Sequence, residues 1–464
     1  MGHVLWLIVI SQLVFTSSAL AEHQGMYLFS AFFHVLFSMI SFLHFKFMRY
    51  LQKREKKNSP FTSQLPQSFS DILSRDQARV RALNHRLSKS KYKVHGKSTS
   101  GALLRPKLVS MPLNPGQSIG TGNYYVKIGL GSPPSYYLMV VDTGSSFSWL
   151  QCQPCFSYCH SQVGQIFDPS ASKTYKTLSC SATECSALKS ATLNEPGCDT
   201  KNTCLYAASY GDSSFSIGYL SQDLLTVSPH DTFPGFVYGC GQDNEGLFGR
   251  SAGIIGLAKN KLSLISQVSK NYGYAFSYCL PSTSSSSGSL SIGKASLFSP
   301  ALKFTPMVSD SLDPSLYFLR IAAITVAGRP LSVSPTAYKV STIIDSGTVI
   351  TRLPVSVYGA LSQAFGKIMS AKYQTAPAYS ILDTCYKGSL KTIASGVPTV
   401  QILFPGGASL SLRPQNVLVD VDSDVTCLAF AGSNKVAIVG NHQQQGFKVV
   451  YDVAGSRIGI APGC

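Results

Sequence analysis

Charged side chains are scarce in this sequence, and acidic ones especially so. Of its 464 residues 13% are charged, with 22 Asp and Glu against 39 Lys and Arg, while 44% are hydrophobic. This composition indicates a protein that is globular over most of its length. Because single hydrophobic cores stop growing at about 250 to 300 residues, we expect two lobes.

The net charge of +17 is not spread evenly along the chain. Residues 1–110 contain 16 Lys and Arg against 4 Asp and Glu, whereas residues 111–464 have the ordinary balance of 23 basic and 18 acidic residues. The basicity therefore belongs to an N-terminal leader. A DNA-binding function would require that leader to persist in the mature protein, and it has no aromatic interleaving or DNA-binding pattern. We predict that nucleic acid is not a partner.

A complete set of metal ligands is also lacking. The segment CQPCFSYCH at 152–160 has ligand-like spacing, but no second CxxC motif or paired His completes a set of four. All 12 cysteines lie after residue 150, seven of them within 152–204. An even number behind an apolar N-terminus is typical of disulfides formed in an oxidising compartment. We predict no metal, no cofactor, and one specific disulfide, Cys385 with Cys427.

Two apolar runs at the N-terminus predict different locations for the cysteine-rich part of the chain. Residues 4–18 end at Ala19-Leu20-Ala21, a small-residue site typical of signal-peptide cleavage. Residues 26–45 are long enough to span a bilayer, and the basic residues after them would retain the cysteine-rich part in the cytosol. Either the runs form a hairpin or membrane anchor, or translation begins at Met26 and 26–45 is the signal. We favour the second interpretation because it agrees with disulfide formation.

A basic helix is predicted between this leader and the main domain. Within 68–90, Ser70 is the expected N-cap and apolar residues recur at helical spacing: Ile72, Leu73, Val80, Leu83 and Leu87. The basic face is either solvated or covers an acidic cleft until the segment is removed. The Pro- and Gly-rich stretch 111–122 predicts the boundary with the mature domain. The predicted divisions are a hydrophobic leader at 1–45, a basic prosegment at 46–117, and two lobes at 118–300 and 301–464.

The rest of the chain is dominated by short β-type runs and contains an internal repeat. The predicted strands are 124–130, 136–142, 236–238, 317–324, 417–421, 426–430 and 447–452, and the clearest helix is Pro354 to Met369. Each half has an apolar run that ends in Asp-[Thr/Ser]-Gly-[Ser/Thr]. Each half later has two branched apolar residues before a glycine, at 254–256 and 438–440. The repeat predicts an all-β architecture of two duplicated lobes.

Asp142 and Asp345, the acids that end the two apolar runs, are the candidate catalytic residues. If the lobes bring them together, the two carboxyls cannot both ionise easily and share one proton. One can then act as base and the other as acid while a water attacks a peptide carbonyl at acidic pH. Neighbouring residues are expected to let the backbone turn and to orient each carboxylate: Thr143, Gly144, Ser145, Ser346, Gly347 and Thr348.

These motifs resemble those of the pepsin-like aspartic peptidases, in particular their atypical, nepenthesin-like plant branch. The resemblance extends over about residues 68–464. Tyr210 matches the flap tyrosine that closes over substrate, Trp149 matches the tryptophan that follows the first motif, and 152–204 looks like the cysteine-rich insert of the nepenthesin type. Ser213 departs from the pattern, because many relatives have Gly at the flap tip.

The resemblance implies a bilobal fold with a catalytic cleft between pseudo-symmetric lobes. It also implies a monomeric zymogen without metal that hydrolyses protein or peptide substrates and is inhibited by pepstatin. We expect the secretory pathway, with the apoplast or the vacuole as destination and a plastid or a membrane anchor as alternatives.

Two other functions remain to be compared with this one. GRSAG at 249–253 fits the nucleophile pattern of serine hydrolases, with Asp345 and His442 in the right order, but it lacks the strand before and the helix after that the pattern requires. Some plant relatives of the pepsin type act as inhibitors or binders after losing catalytic residues. Both acids and Tyr210 are present here, which favours catalysis.

Overall fold

The fold is described by a computed structural model for residues 68–89, 107–210, 214–246, 248–282, 288–310 and 313–463. The predictions for the leader at 1–45 and for Ser213 lie outside these residues. Within the described ranges, no helix is long and apolar enough to cross a membrane.

Short strands make up most of the described chain. Those of the first half are β1 Val109–Pro115, β2 Tyr124–Leu130, β3 Ser135–Asp142, β4 Trp149–Gln151, β5 Lys176–Thr177, β6 Gly197–Cys198, β7 Cys204–Ser209, β8 Phe215–Ser228, β9 Asp231–Glu245, β10 Gly253–Gly256, β11 Ala275–Cys279 and β12 Gly288–Ile292. Those of the second half are β13 Lys303–Pro306, β14 Phe318–Leu319, β15 Ala323–Val326, β16 Arg329–Pro330, β17 Thr342–Ile344, β18 Thr351–Pro354, β19 Thr375–Ala376, β20 Cys385–Lys387, β21 Val400–Leu403, β22 Ser409–Leu412, β23 Leu418–Asp422, β24 Val425–Leu428, β25 Phe430–Ser433, β26 Ala437–Val439, β27 Phe447–Asp452 and β28 Arg457–Pro462. The α-helices are α1 Phe69–Lys89, α2 Thr183–Thr192, α3 Leu264–Tyr272, α4 Val355–Met369 and the one-turn α5 Leu390–Ile393, α6 Pro414–Val417 and α7 Asn441–Gln444.

One large sheet joins the two halves of the chain. Its order is β13-β28-β27-β11-β12-β1-β2-β3-β10-β4-β9-β8-β7-β6, and the second half adds the sheets β14-β17-β26-β18-β25, β16-β15-β21-β22 and β19-β20-β24-β23. The antiparallel pair β11 and β27 connects the halves. Packed across this pair are the rings of Phe276, Tyr317 and Tyr451, whose centroids lie 4.4 to 5.9 Å apart. The predicted all-β, bilobal fold is confirmed. The sheet includes β1, which starts before the predicted lobe boundary at 118.

Strand and helix predictions succeeded where one element follows one periodic pattern. β2 and β27 have the predicted bounds, and α4 begins at Val355 and buries the expected face. The prediction of one strand at 317–324 was wrong, because the chain there leaves β14 of one sheet and enters β15 of another. Ser70 is not an N-cap: α1 begins at Phe69, and Ser68 and Asp71 bond each other's backbone N–H.

Helix α1 is part of the core rather than a solvated appendage. Leu73 packs in a buried cluster with Ile350, and Val80 and Leu83 pack in a second cluster with Phe318. All three helix side chains are at most 3% exposed. Burial of each stabilises the packed helix by about 1.5 to 3 kcal/mol. The predicted apolar stripe therefore holds the basic helix against the second half of the chain.

Disulfides crosslink the first half most densely. The described pairs are Cys152–Cys240, Cys155–Cys159, Cys180–Cys198, Cys185–Cys204 and Cys385–Cys427. The predicted pairing of Cys385 with Cys427 is confirmed, and these two residues are direct cross-strand neighbours in β20 and β24. The segment that resembled a zinc site therefore uses its cysteines as crosslinks.

Candidate active site

The two acid motifs occupy equivalent positions in the two lobes. Asp142 is the last residue of β3, which pairs in parallel with β10 so that Asp142 lies opposite Gly256. Asp345 directly follows β17, which pairs in parallel with β26 in the same way. The apolar residues before each acid are buried, as expected of parallel strands covered on both faces. Each acid is thus carried to the end of a rigid, buried strand.

The two carboxylates meet between the lobes, and both contact Arg79 of α1. The Nη2 atom of Arg79 lies 2.6 Å from Oδ1 of Asp142 and 3.4 Å from Oδ2 of Asp345. Both acids are therefore within hydrogen-bonding reach of a single nitrogen atom. The exposed fractions of the Asp142 and Asp345 side chains are 4% and 0%. The structure brings the predicted pair together and covers it with the predicted basic helix.

Each carboxylate accepts hydrogen bonds from its own motif. The N–H two residues after the acid donates to one carboxylate oxygen, over 2.9 Å in the first motif and 3.2 Å in the second. The hydroxyl three residues after the acid donates to the other oxygen. These donors are Gly144 and Ser145 for Asp142, and Gly347 and Thr348 for Asp345. Each carboxylate is thus held by one backbone N–H and one hydroxyl, and these donors occupy equivalent positions in the two motifs.

Thr143 and Ser346 tie the two motifs to each other. The N–H of Thr143 donates to Ser346 Oγ over 3.1 Å, and the N–H of Ser346 donates to Thr143 Oγ1 over 2.9 Å. Thr143 also donates to Asp345 over 3.3 Å. Each hydroxyl accepts from the opposite lobe, so the reciprocal bonds set the separation of the acids.

The glycines of the motifs provide space rather than a special backbone conformation. A Cβ atom on Gly347 would lie 2.3 Å from Asp142 Oδ1, and one on Gly144 would lie 2.9 Å from Asp345 Oδ1. Neither glycine has a positive φ. The expected turns are present at residues 143–144 and 346–347. The glycines have a second role, because a Cβ atom on either would meet the carboxylate of the opposite lobe and Nη2 of Arg79.

The two acids differ in their protonation although they are equally buried. Burial raises the pKa of Asp142 above its ordinary 3.8, despite the opposing effect of Arg79. Burial also acts to raise the pKa of Asp345, but Arg79, the Thr348 hydroxyl and the Gly347 N–H outweigh it and lower the pKa below 3.8. The arrangement therefore favours one protonated and one ionised carboxyl.

Tyr210 lies beside the acids, on an aromatic group that anchors it. Its hydroxyl accepts a 2.7 Å hydrogen bond from Nε1 of Trp149, and its ring lies 5.5 Å from that of Phe248. Tyr210 lines the same cavity as Asp142 and Gly347. Trp149 is fully buried, so it is a core residue that also orients Tyr210. Phe248, the third member of this group, was not predicted and has no sequence signal.

Further contacts of α1 were missed by sequence reasoning. Arg86 is ion-paired with Asp313 and donates to the carbonyl of Gly144 over 2.9 Å and to Ser146 Oγ over 3.0 Å. Its position seven residues after Arg79, two turns along the helix, was a signal that could have grouped the two arginines. Helix α1 thus contacts the acids through Arg79 and the segment that follows the first acid through Arg86.

The structure contradicts the serine-hydrolase interpretation. Ser251 is buried and donates to the carbonyl of Phe248, and the ring of His442 bonds the carbonyl of Leu418. Burial lowers the pKa of His442 to about 4, and neither bond connects the two side chains. Among the residues described, no group of three or more His, Cys, Asp or Glu side chains could hold a metal ion.

Comparisons with known proteins agree with this geometry. Residues 124–294 match the family described as xylanase inhibitor N-terminal, and residues 316–462 match xylanase inhibitor C-terminal. An aspartyl protease family protein of Arabidopsis thaliana is 43% identical over 400 residues, which cover 85% of this chain and 82% of that protein. Aspartic proteinase nepenthesin-2 of Nepenthes gracilis is 35% identical over 74% of this chain and 78% of its own length. The crystal structure of basic 7S globulin from soybean matches with a TM-score of 0.61 at 23% identity, over 77% of this chain and 96% of the globulin.

Proposed function

Since this chain belongs to the pepsin-like aspartic protease family, we propose that it is an acid endopeptidase whose catalytic dyad is Asp142 and Asp345, made as a zymogen closed by α1. The observation that carries the proposal is the contact of both carboxylates with one nitrogen atom of Arg79. Two acids this close share a proton, and a water between them would face one base and one acid.

The proposed reaction uses this difference in protonation. The ionised carboxylate accepts a proton from the water as its oxygen attacks the peptide carbonyl carbon, and the protonated carboxyl donates its proton to the carbonyl oxygen. The resulting diol collapses when the amide nitrogen takes up the proton of the first carboxyl, the C–N bond breaks, and the second carboxylate takes up the proton of a diol hydroxyl. The products are a carboxylic acid and an amine, and the dyad again has one proton. Gly144 and Gly347 leave the room in which the two carboxylates approach each other, and Tyr210, which lines the same cavity as Asp142, is the proposed flap residue over the substrate.

The position of α1 supports the zymogen part of the proposal. While Arg79 bonds both carboxylates, neither is available to a water, and the helix occupies the space that an extended substrate requires. The apolar face of α1 and the pair of Arg86 with Asp313 hold the helix there. Removal of α1 is therefore the proposed activation step. The five disulfides described support maturation in the secretory pathway, and the apoplast and the vacuole are the proposed destinations.

The proposal is tested with the full chain and its Asp142→Asn and Asp345→Asn variants. Each protein is shifted to about pH 4, and cleavage of a denatured protein substrate is followed with and without pepstatin. We expect acid-dependent cleavage by the wild type that pepstatin blocks and both variants lack. A folded, processed and inert wild type would contradict the proposal. It would favour a binding protein, because the two matching family models are named for xylanase inhibitors.

A further inference from the structure

Helix α1 inserts one carboxylate of its own beside the dyad. Asp76 is 3% exposed and accepts hydrogen bonds from the backbone N–H groups of Val349 and Ile350. Nη2 of Arg352 lies 2.8 Å from Oδ2 of Asp76 and also donates to Gln77 over 3.2 Å. Two amides and one guanidinium of the second lobe thus converge on one acidic side chain of the prosegment.

These three donors lose their acceptor when α1 is removed. Among the described residues, Asp76 is the acid that forms an ion pair with Arg352. The Arg352 residue is 1% exposed while the helix is bound. Unpaired backbone N–H groups and an unpaired cation are both costly in a poorly solvated site. The guanidinium stays in place through the bond of its Nη1 to the carbonyl of Ile350, over 2.8 Å. The mature protein would therefore retain a preformed site for a carboxylate.

This site lies close to the position where the substrate would be cut. Asp76 and Arg79 are three residues apart in α1, about 4.5 Å along the helix axis, and Arg79 contacts the dyad. Val349 lines the same cavity as Asp142 and Tyr210. An extended peptide advances about 3.3 Å per residue, so the separation of about 4.5 Å corresponds to about one to two residues, and the site is within reach of a side chain close to the scissile bond.

We propose that Val349, Ile350 and Arg352 form a subsite that binds an acidic side chain of the substrate, and that Asp76 occupies this subsite in the zymogen. The inference rests on the proposed function, because the subsite opens only when α1 leaves. It identifies Arg352 as a specificity-determining residue. Arginine suits this role because its planar fork bonds a carboxylate in a fixed orientation.

The test compares matched peptides that differ in one Glu or Gln. The full chain is produced with a site-specific protease sequence within 90–106, so that α1 can be cut off and separated whether or not the protein processes itself. The substituted position is moved through the four residues on each side of the scissile bond. At about pH 5.5, where Glu with a pKa of about 4.3 is ionised, we expect one position at which Glu raises kcat/KM about 10- to 100-fold over Gln.

The arginine is tested by changing its charge. In Arg352→Gln the ratio of the Glu to the Gln peptide should fall to about 1, in Arg352→Lys it should be partly retained, and in Arg352→Glu a Lys peptide should become preferred. As a measurement independent of these variants, the wild-type ratio should fall toward 1 at about pH 3, where the substrate Glu is protonated.

The outcomes separate this inference from the proposed function. An active enzyme with no Glu preference at any position, or with the same preference in Arg352→Gln, overturns the subsite alone. A protein that cleaves neither peptide overturns the proposed function. In that case calorimetry at about pH 5.5 decides the subsite: about 10-fold tighter binding of the Glu peptide supports it, and equal binding of both peptides overturns it.

Discussion

Replacing Arg79 by alanine is the most direct test of how α1 closes the cleft. The substitution removes a guanidinium that bonds two buried carboxylates at 2.6 and 3.4 Å. Breaking a buried ion pair by removing one partner costs about 3 to 5 kcal/mol. The cost should be near the lower limit here, because the two acids can share a proton once the arginine is gone. The helix should therefore be held about 3 kcal/mol less tightly, which raises the open fraction about 100-fold.

The assay is the initial rate of peptide hydrolysis by the unprocessed chain. Wild type, Arg79→Ala and Arg81→Ala are compared during the first minutes after acidification, and N-terminal sequencing confirms that α1 is still attached. Arg81 is exposed on the same helix, so its replacement is the matched control. We expect a rate about 100-fold higher for Arg79→Ala alone. Equal rates for the two variants would refute the view that Arg79 closes the dyad.

Three further predictions concern the same acids and one buried histidine. Gly347→Ala places a Cβ atom 2.3 Å from Asp142 Oδ1 and should lower kcat/KM at least about 100-fold. The control is Gly359→Ala in α4, which has open space around it and should retain activity. Equal losses of activity in the two variants would contradict the steric argument. After removal of α1, kcat/KM should be bell-shaped in pH, because one acid of the dyad must be ionised and the other protonated, and a flat profile across the acidic range would exclude a shared-proton dyad. In the folded protein the pKa of His442 is lowered from 6.5 to about 4. Between these pH values the unfolded state therefore binds more protons than the folded state. The free energy of unfolding should fall by about 3 kcal/mol as the pH drops from 6.5 to 4. Denaturant unfolding at both pH values should show a smaller fall for His442→Gln, and identical falls would show that this histidine is not responsible.

Periodic patterns in the sequence predicted individual elements well. β2 and β27 are short runs rich in aromatic and branched apolar residues, and α4 repeats large apolar residues every three to four positions. The run 317–324 has the same composition but is divided between two sheets. A local pattern reports which residues are buried, but it does not report that the chain changes its partner strand partway along.

The candidate dyad was predictable because its signal is local and duplicated. Asp142 and Asp345 each follow a buried apolar run and precede a glycine, and this pattern occurs once in each half. The hydroxyls of Thr143, Ser145 and Thr348 donate to the carboxylates, as the same short motifs predicted. The prediction was wrong for Ser346, because its hydroxyl donates to the carbonyl of Val141 over 3.1 Å. The glycines were predicted for the turns, which are present, and the structure adds a second reason: a Cβ atom on either glycine would meet the carboxylate of the opposite lobe.

A basic helix over an acidic cleft was one of two alternatives, but the individual residue pairs that close the cleft were not predictable, because each joins residues far apart in the chain. Arg79 is 266 positions from Asp345, Arg86 is 227 from Asp313, and Arg352 is 276 from Asp76. In the sequence these are ordinary charged residues of a basic helix and of distant loops and strands. Their pairing depends on how α1 crosses both lobes.

The sequence by itself determined that the chain forms two duplicated β lobes and that each lobe contributes one acid, because strand periodicity and the short acid motifs are local properties. Only the tertiary structure decided which groups occupy the cleft, and that a carboxylate site centred on Arg352 lies beside the dyad. The physical reason is that a buried charge requires a partner, and the partner is selected by the three-dimensional path of the chain rather than by its neighbours in sequence.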